Sequence, residues 1–403
     1  MRSMQKHWPS LFALVIVVTV SHLSGQQNPA SGDDVRTLVG RLDLQRYKST
    51  IESLSRFGDR RQGTRRNRDA VDWIEAQLKS YGCADVERLT YSYVTPPAAS
   101  GDAAPPSSAD AFKGSGPGGA TIFGRGRRPG VNRDLMKQPD QRIREMNREQ
   151  PIDGERQEVY CTKIGTTRPD EMYIIGGHMD GHGVNQGSND DASGTALVME
   201  IARILSDAGV RTDRSVRFAL WNNEETGHQG AAAYVKQRGP MQGAENPPGS
   251  RRYPEPHWLG MIQHDMMLFD HGAPGPDGRV SSNQRREADV NIEFQAKSAK
   301  SSDSMALAFV FRAANEAYAT DYPASVGPHM TNTDSNDFMD QVASISLREA
   351  ERGAEIGAGW DPLGHTPGDV FTAYQDEDFR LGLNAAQTTL GAVARLVGAR
   401  VAR

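Results

Sequence analysis

The chain has 403 residues, 37% hydrophobic and 24% charged, with 46 Lys and Arg against 51 Asp and Glu for a formal net charge of -5. That length holds one large α/β domain or two ordinary ones. The modest apolar share excludes a multi-span membrane protein, and the slightly acidic balance gives no reason to expect a nucleic-acid partner.

In chain order, Arg2, Lys6 and His7 precede an apolar run from Leu11 to Val20. The run is too short to span a bilayer and suits the core of a signal peptide. Small residues at Ser24 and Gly25 suit cleavage, and no Cys follows the run, which argues against a lipoprotein anchor. The expectation is a signal peptide over 1–25, a mature chain from near Gln26, a secreted or periplasmic location and no membrane attachment after cleavage. The two cysteines, Cys83 and Cys161, then predict one disulfide.

Residues 26–99 read as the N-terminal part of a catalytic domain. Asp34 to Tyr81 reads as helical, with Val71, Trp73, Ile74 and Leu78 at helical spacing and Gly82 as the stop. Val86 to Val94 alternates like a strand. Residues 100–157 read as an insertion, rich in Gly, Pro, Ala and Ser to about Gly130 and then strongly polar, with one exposed helix expected over 139–157.

The catalytic core is expected over 158–403. Strands are predicted at Val159–Lys163, Met172–Gly176, Val216–Trp221 and Leu259–Gln263. Helices are predicted at Thr195–Ala208, Met305–Tyr318 and Leu383–Val397, with polar insertions at 239–257 and 271–289. Strands alternating with helices argue for an α/β fold with a largely parallel sheet covered on both faces.

Hard-to-bury groups gather where the predicted strands end. His178-Met-Asp180 follows one strand, Asn189-Asp190-Asp191 precedes a helix, Glu224-Glu225 and Asp265 follow two more strands, and His365 lies in Gly364-His-Thr-Pro-Gly-Asp369. In open parallel sheets, sites form beyond the carboxyl ends of the strands, so these loops can converge on one crevice. Two histidines and several carboxylates without cysteine suit borderline-to-hard divalent cations, zinc first. The set divides into a bridging Asp, one His and one carboxylate for each of two metals, and a spare Glu as general base. Each motif alone also has an ordinary structural reading, Asp190-Asp191 for example as a helix N-cap. Their order and placement together are what point to a site.

That order, His178, Asp190, Glu224-Glu225, Asp265 and His365, resembles the co-catalytic zinc exopeptidase family that includes bacterial leucyl aminopeptidase. The strings Gly177-His-Met-Asp-Gly-His-Gly-Val-Asn-Gln-Gly-Ser-Asn-Asp-Asp-Ala-Ser-Gly194 and Leu220-Trp-Asn-Asn-Glu-Glu-Thr-Gly227 carry it. The part Val184 to Gly187 also resembles plasma glutamate carboxypeptidase and its bacterial relatives. The resemblance covers roughly Glu158 to the C-terminus. It implies the zinc-dependent exopeptidase fold, a mixed, largely parallel central sheet with helices on both faces. It also implies two zinc ions per chain and peptide substrates hydrolysed through a metal-bridging water.

By the same resemblance, Asp190 bridges the metals, His178 and Asp265 complete one site, and Glu225 and His365 complete the other. Glu224 is the general base, and Asp180 orients His178. A cis peptide is implied after Asp190. Thr333-Asp334-Ser335-Asn336-Asp337-Phe338 stands where the family has Ser/Thr-Asp-His-x-x-Phe, with Ser335 replacing the His. His329 is the candidate oxyanion donor by position, and His182 and His228 read as bystanders.

The favoured activity is an aminopeptidase. A dipeptidase or carboxypeptidase stands second, with Arg348 or Arg352 as the cation for a substrate carboxylate. Glutaminyl cyclase chemistry on the same fold, or a catalytically inactive binding module, stands third. A related family with a lid domain usually carries Asp-x-Lys-Gly at the bridge, where this chain has Asp190-Asp-Ala-Ser-Gly194.

Overall fold

The computed structural model describes residues 32–96, 134–269, 290–319, 321–328, 333–349, 361 and 363–402. The expected signal peptide, most of the insertion read over 100–157, the polar stretch 271–289, His329 and Arg352 lie outside the described residues.

The N-terminal part folds as three helices, α1 (Gly32–Val39), α2 (Leu44–Ser55) and α3 (Arg65–Ser80). Two caps divide what the sequence reads as one helical stretch. Asp43 accepts the N–H of Arg46 at the start of α2, and Thr64 accepts that of Asn67 at the start of α3. Strand β1 (Glu87–Tyr93) follows, then a short helix α4 (Gln141–Met146) and strand β2 (Gly154–Lys163). The helix expected over 139–157 is therefore confined to six residues, because the chain from Gly154 is already paired with β1.

The remaining elements are β3 (Arg168–His178), α5 (Ala192–Leu205), β4 (Val210–Arg211), β5 (Arg214–Trp221), α6 (Gln229–Arg238), β6 (His257–His264), β7 (Val290–Glu293), α7 (Ser301–Tyr318), β8 (Ala324–Gly327), β9 (Ser344–Arg348), α8 (Asp376–Leu396) and β10 (Arg400–Val401). Eight strands form one sheet in the order β1-β2-β5-β3-β6-β9-β7-β8. The centre is parallel, β5 with β3, β3 with β6 and β6 with β9, while β1, β2 and β7 bring antiparallel ladders. The expected mixed, largely parallel sheet is the one observed.

One face is covered by α5 and α8, with α1 to α3 and α7 packed around them in a single core. The other face carries α6 and a smaller core of Tyr160, Trp221, Tyr234, Trp258 and Phe338. Helix α5 is buried almost all round, and β5 on every residue, as central elements of a covered sheet must be. A close approach at the end of β3 brings α5 to the site. A side chain at Gly177 would meet the Gly194 main chain at 2.8 Å, so only glycine lets the helix start there.

Cys83 and Cys161 are bonded, tying the loop after α3 to β2. Among the described residues, no helix is long and apolar enough to cross a membrane.

Candidate metal centre

The three central parallel strands end side by side, and each delivers chemistry at its carboxyl end. His178 is the last residue of β3. Glu224 and Glu225 lie in the turn after β5, and Asp265 directly follows β6. Asp190 comes from the loop before α5, and His365 from the loop before α8, with φ 57°. Strands are spaced about 5 Å apart, so neighbouring strand ends set the scale of the cluster.

Asp190 sits between two imidazoles. Its Oδ1 is 3.1 Å from His178 Nε2 and its Oδ2 is 2.6 Å from His365 Nε2. On the first side, Asp265 Oδ1 is 3.9 Å from His178 Nε2. On the second, Glu225 Oε2 is 3.5 Å from His365 Nε2. His178, Glu224 and Asp265 offer donor atoms within 4.8 Å of one another, and so do His182, Glu225 and His365. The peptide between Asp190 and Asp191 is cis. Asp191 then caps α5, accepting the N–H of Gly194 at 2.8 Å and that of His178 at 3.0 Å.

Asp180 behaves differently from the expectation. Its main-chain oxygen, not its carboxylate, is the nearer partner of His178 Nδ1, at 3.2 Å against 3.8 Å. The carboxylate instead accepts the Glu224 N–H at 3.0 Å, fastening the turn that carries both glutamates. Arg348 is only partly engaged, since its Nε and Nη1 are buried without a hydrogen-bond partner. It is buried, and its Nη2 donates to Asp265 Oδ2 at 2.6 Å, beside the metal positions.

The electrostatics show what the cluster lacks. Burial pushes Glu224 up to about 8, only partly offset by His178, and burial with Asp190 and Glu224 nearby raises Glu225 well above the ordinary range. Burial also acts to raise Asp190, yet His365 and His178 on either side hold it well below that range. Glu225 Oε1 and Asp180 Oδ2 are buried without a hydrogen-bond partner. Carboxylates gathered out of water need positive charge. Divalent cations supply it, and the donor set, imidazole and carboxylate without thiolate, suits zinc.

Several residues that shape the site are faintly marked in the sequence or not marked at all. His182 lies at 2.5 Å from Glu225 Oε2, and its ring packs on His365 with centroids 3.8 Å apart. His228 Nε2 lies 3.6 Å from Glu224 Oε1, and its Nδ1 3.6 Å from Asp337 Oδ2. Neither histidine is the bystander that the sequence suggests, since both stand beside the glutamates. Asp369 accepts the N–H groups of Asn189 and Asp190 at 2.7 and 3.1 Å, fixing the bridge from behind. Arg60 is fully buried and donates to the carbonyls of Met179, Gln186 and Gly187 at 2.6–2.7 Å and of Gly58 at 3.0 Å. It clamps the loop from Met179 to Gly187 beneath the metal positions. Flanking glycines are the available signal for His182 and the His-Thr-Pro-Gly-Asp string for Asp369; nothing local marks Arg60.

Fold and site together define an α/β protein with a candidate metal centre at the carboxyl ends of its central parallel strands. More particularly, residues 159–326 match the model of peptidase family M28, and that stretch carries His178, Asp190, Glu224, Glu225 and Asp265, with His365 beyond it. Carboxypeptidase Q of Xenopus laevis is 36% identical over 73 residues, 18% of this chain and 16% of that protein. The chain thus spans about a sixth of the length of that curated relative. A zinc aminopeptidase from Bacillus subtilis superposes with TM-score 0.57 at 16% identity, covering 88% of this chain and 95% of that one. A glutaminyl cyclase from Bacteroides thetaiotaomicron gives TM-score 0.54 at 12% identity, covering 87% and 97%. At these identities the likeness to the solved structures is one of fold, and the family resemblance rests on the matched stretch.

Proposed function

We propose that the protein is a dinuclear zinc metallo-exopeptidase, most simply an aminopeptidase. The observation that carries this reading is Asp190, whose two oxygens face two different histidines across one carboxylate-rich crevice. His178 and Asp265 would hold one ion, Glu225 and His365 the other, and Asp190 both. Zinc bound there supplies Lewis-acid polarisation of a carbonyl and makes water a nucleophile near neutral pH.

The chain's own part is proton handling and positioning. Glu224 takes the proton of the attacking water and returns it to the leaving amine. Glu224 is buried beside the cluster, and the Asp180 carboxylate, accepting its N–H at 3.0 Å, holds its backbone in place. The buried carboxylates favour a substrate that brings an ammonium into the crevice. Arg348 is buried and gives one hydrogen bond to Asp265, so it presents no exposed cation at the crevice mouth, which supports the aminopeptidase. The likeness to carboxypeptidase Q favours the second reading, a dipeptidase or carboxypeptidase.

The disulfide between Cys83 and Cys161 and the apolar run Leu11–Val20 support export through a signal peptide over 1–25 to a secreted or periplasmic site. Aminoacyl-anilides, dipeptides and N-blocked peptides offered to the zinc-loaded chain test the reading. Cleavage of free-amine substrates, lost on chelation and in Glu224→Gln, is expected. Cleavage of N-blocked peptides alone would favour the carboxypeptidase. Cyclisation of N-terminal glutamine without hydrolysis would overturn both.

A further inference from the structure

Five residues of the site follow the motif order of the family, and His182 is not among them. We propose that His182 is a sixth metal ligand. It makes the His365 position a two-imidazole site that binds its zinc first and most tightly, and leaves the His178 position as the exchangeable one. The assignment rests on the two-cation reading above and goes beyond it in naming a ligand and an order of loading.

The geometry is that of a closed set. His182 Nε2 is 2.5 Å from Glu225 Oε2, His365 Nε2 is 3.5 Å from the same oxygen, and His365 Nε2 is 2.6 Å from Asp190 Oδ2. Four donors at zinc distances of about 2.0–2.1 Å in a tetrahedron lie about 3.3 Å apart. The observed separations close on one ion with shifts of less than about an ångström. The two imidazoles meet edge to face, at 79° with centroids 3.8 Å apart, and their donor atoms lie within 4.8 Å of each other and of the Glu225 carboxylate. Glu225 Oε1, buried and without a hydrogen-bond partner, independently marks that space as short of a cation.

His182 is also held where a ligand must be held. Its side chain is only 9% exposed. The glycine before it lies so near the main chain that a side chain at Gly181 would meet the Asp59 carbonyl at 2.6 Å, and Gly183 after it has φ 111°. The Arg60 clamp grips the same loop at Met179, Gln186 and Gly187. A freely moving surface histidine needs none of this.

The other position is poorer. It has one imidazole, His178, and the Asp265 carboxylate that faces it through Oδ1 gives its other oxygen, Oδ2, to the Arg348 guanidinium at 2.6 Å. Imidazole-rich sets favour zinc, copper and nickel, whereas carboxylate-rich sets also suit manganese, magnesium and calcium. The two positions therefore differ in both affinity and selectivity.

Metal-free full-length chain titrated with Zn2+ against a chromophoric chelator tests this. The wild type is expected to load in two separated steps. His182→Ala should weaken the tight step by more than about tenfold, a loss that even an outer partner of a ligand can cause. His257→Ala, an exposed histidine outside the site, should leave both steps alone. X-ray absorption at the zinc edge, on wild type carrying one equivalent, needs no variant and should count two imidazoles per zinc. One imidazole per zinc, or a tight step unchanged in His182→Ala but weakened in His365→Ala, would overturn the proposal while leaving the two-cation reading standing. Zinc uptake unaffected by both Asp190→Asn and His365→Ala would instead bring down that reading, and the role of His182 with it.

Discussion

Among the described residues, two of the buried charged assemblies are built on opposite principles. Across the sheet from the main core, Arg217 donates to Glu255, to Tyr234 and to the Pro254 carbonyl, and lies over the Tyr160 ring. Tyr234 and Trp258 donate to the same Glu255. That assembly is neutral and hydrogen-bonded from both sides. At the strand ends, Asp190, Glu224, Glu225 and Asp265 gather with far less compensation, and buried oxygens are left over. A self-satisfied network holds a fold together, whereas one short of charge is waiting for a partner.

The largest effect that would sharpen this contrast is kinetic. Glu224→Gln should lower hydrolysis about 10²- to 10⁴-fold while leaving zinc stoichiometry intact. Equal loss of metal would place Glu224 among the ligands instead. The mirror experiment is Arg217→Ala, which strands Glu255 in the second assembly. It should cost about 3–5 kcal/mol of stability without changing zinc uptake, measured by denaturant unfolding beside metal analysis.

Reduction of the Cys83–Cys161 bond, which spans 78 residues, should cost about 4 kcal/mol on the chain-entropy model. Unfolding midpoints with and without reductant measure it, and an unchanged midpoint would mean the bond constrains little. Chelation should lower the melting temperature of the wild type, and much less that of Asp190→Asn, because a ligand bound only by the folded state stabilises it.

The smallest effect is a slope. Burial raises the Asp337 carboxyl to about 7. In the zinc-free protein the folded state therefore keeps a proton that the unfolded chain releases from about pH 4 upward. Stability contributed this way is full below that pH and is lost as the pH rises to about 7. Asp337→Asn should flatten that part of the melting profile, and an unaltered profile would show Asp337 ionising normally.

Much of this is legible from residues alone, for a physical reason. His178, Glu224, Glu225 and Asp265 each follow a buried-type strand, and an apolar run that ends abruptly in ionisable groups rarely serves packing alone. What escapes has no such signature. Strands β7, β8 and β9 are four or five residues long, too short to show a period. Helix α6 is Ala-rich, with no apolar stripe to mark its face. His182 sits among glycines and Arg60 in a run of charges, where composition suggests solvent. Their roles depend on what the fold places opposite them.

Arg60 has one more implication. Burial lowers its pKa, but a guanidinium keeps its proton throughout the range in which proteins stay folded. The loop from Met179 to Gly187 is thus anchored by a charge that acidity does not switch. A fall in activity with pH should accordingly report protons arriving on carboxylates and imidazoles, with the scaffold unmoved and the loss reversible once the pH is restored.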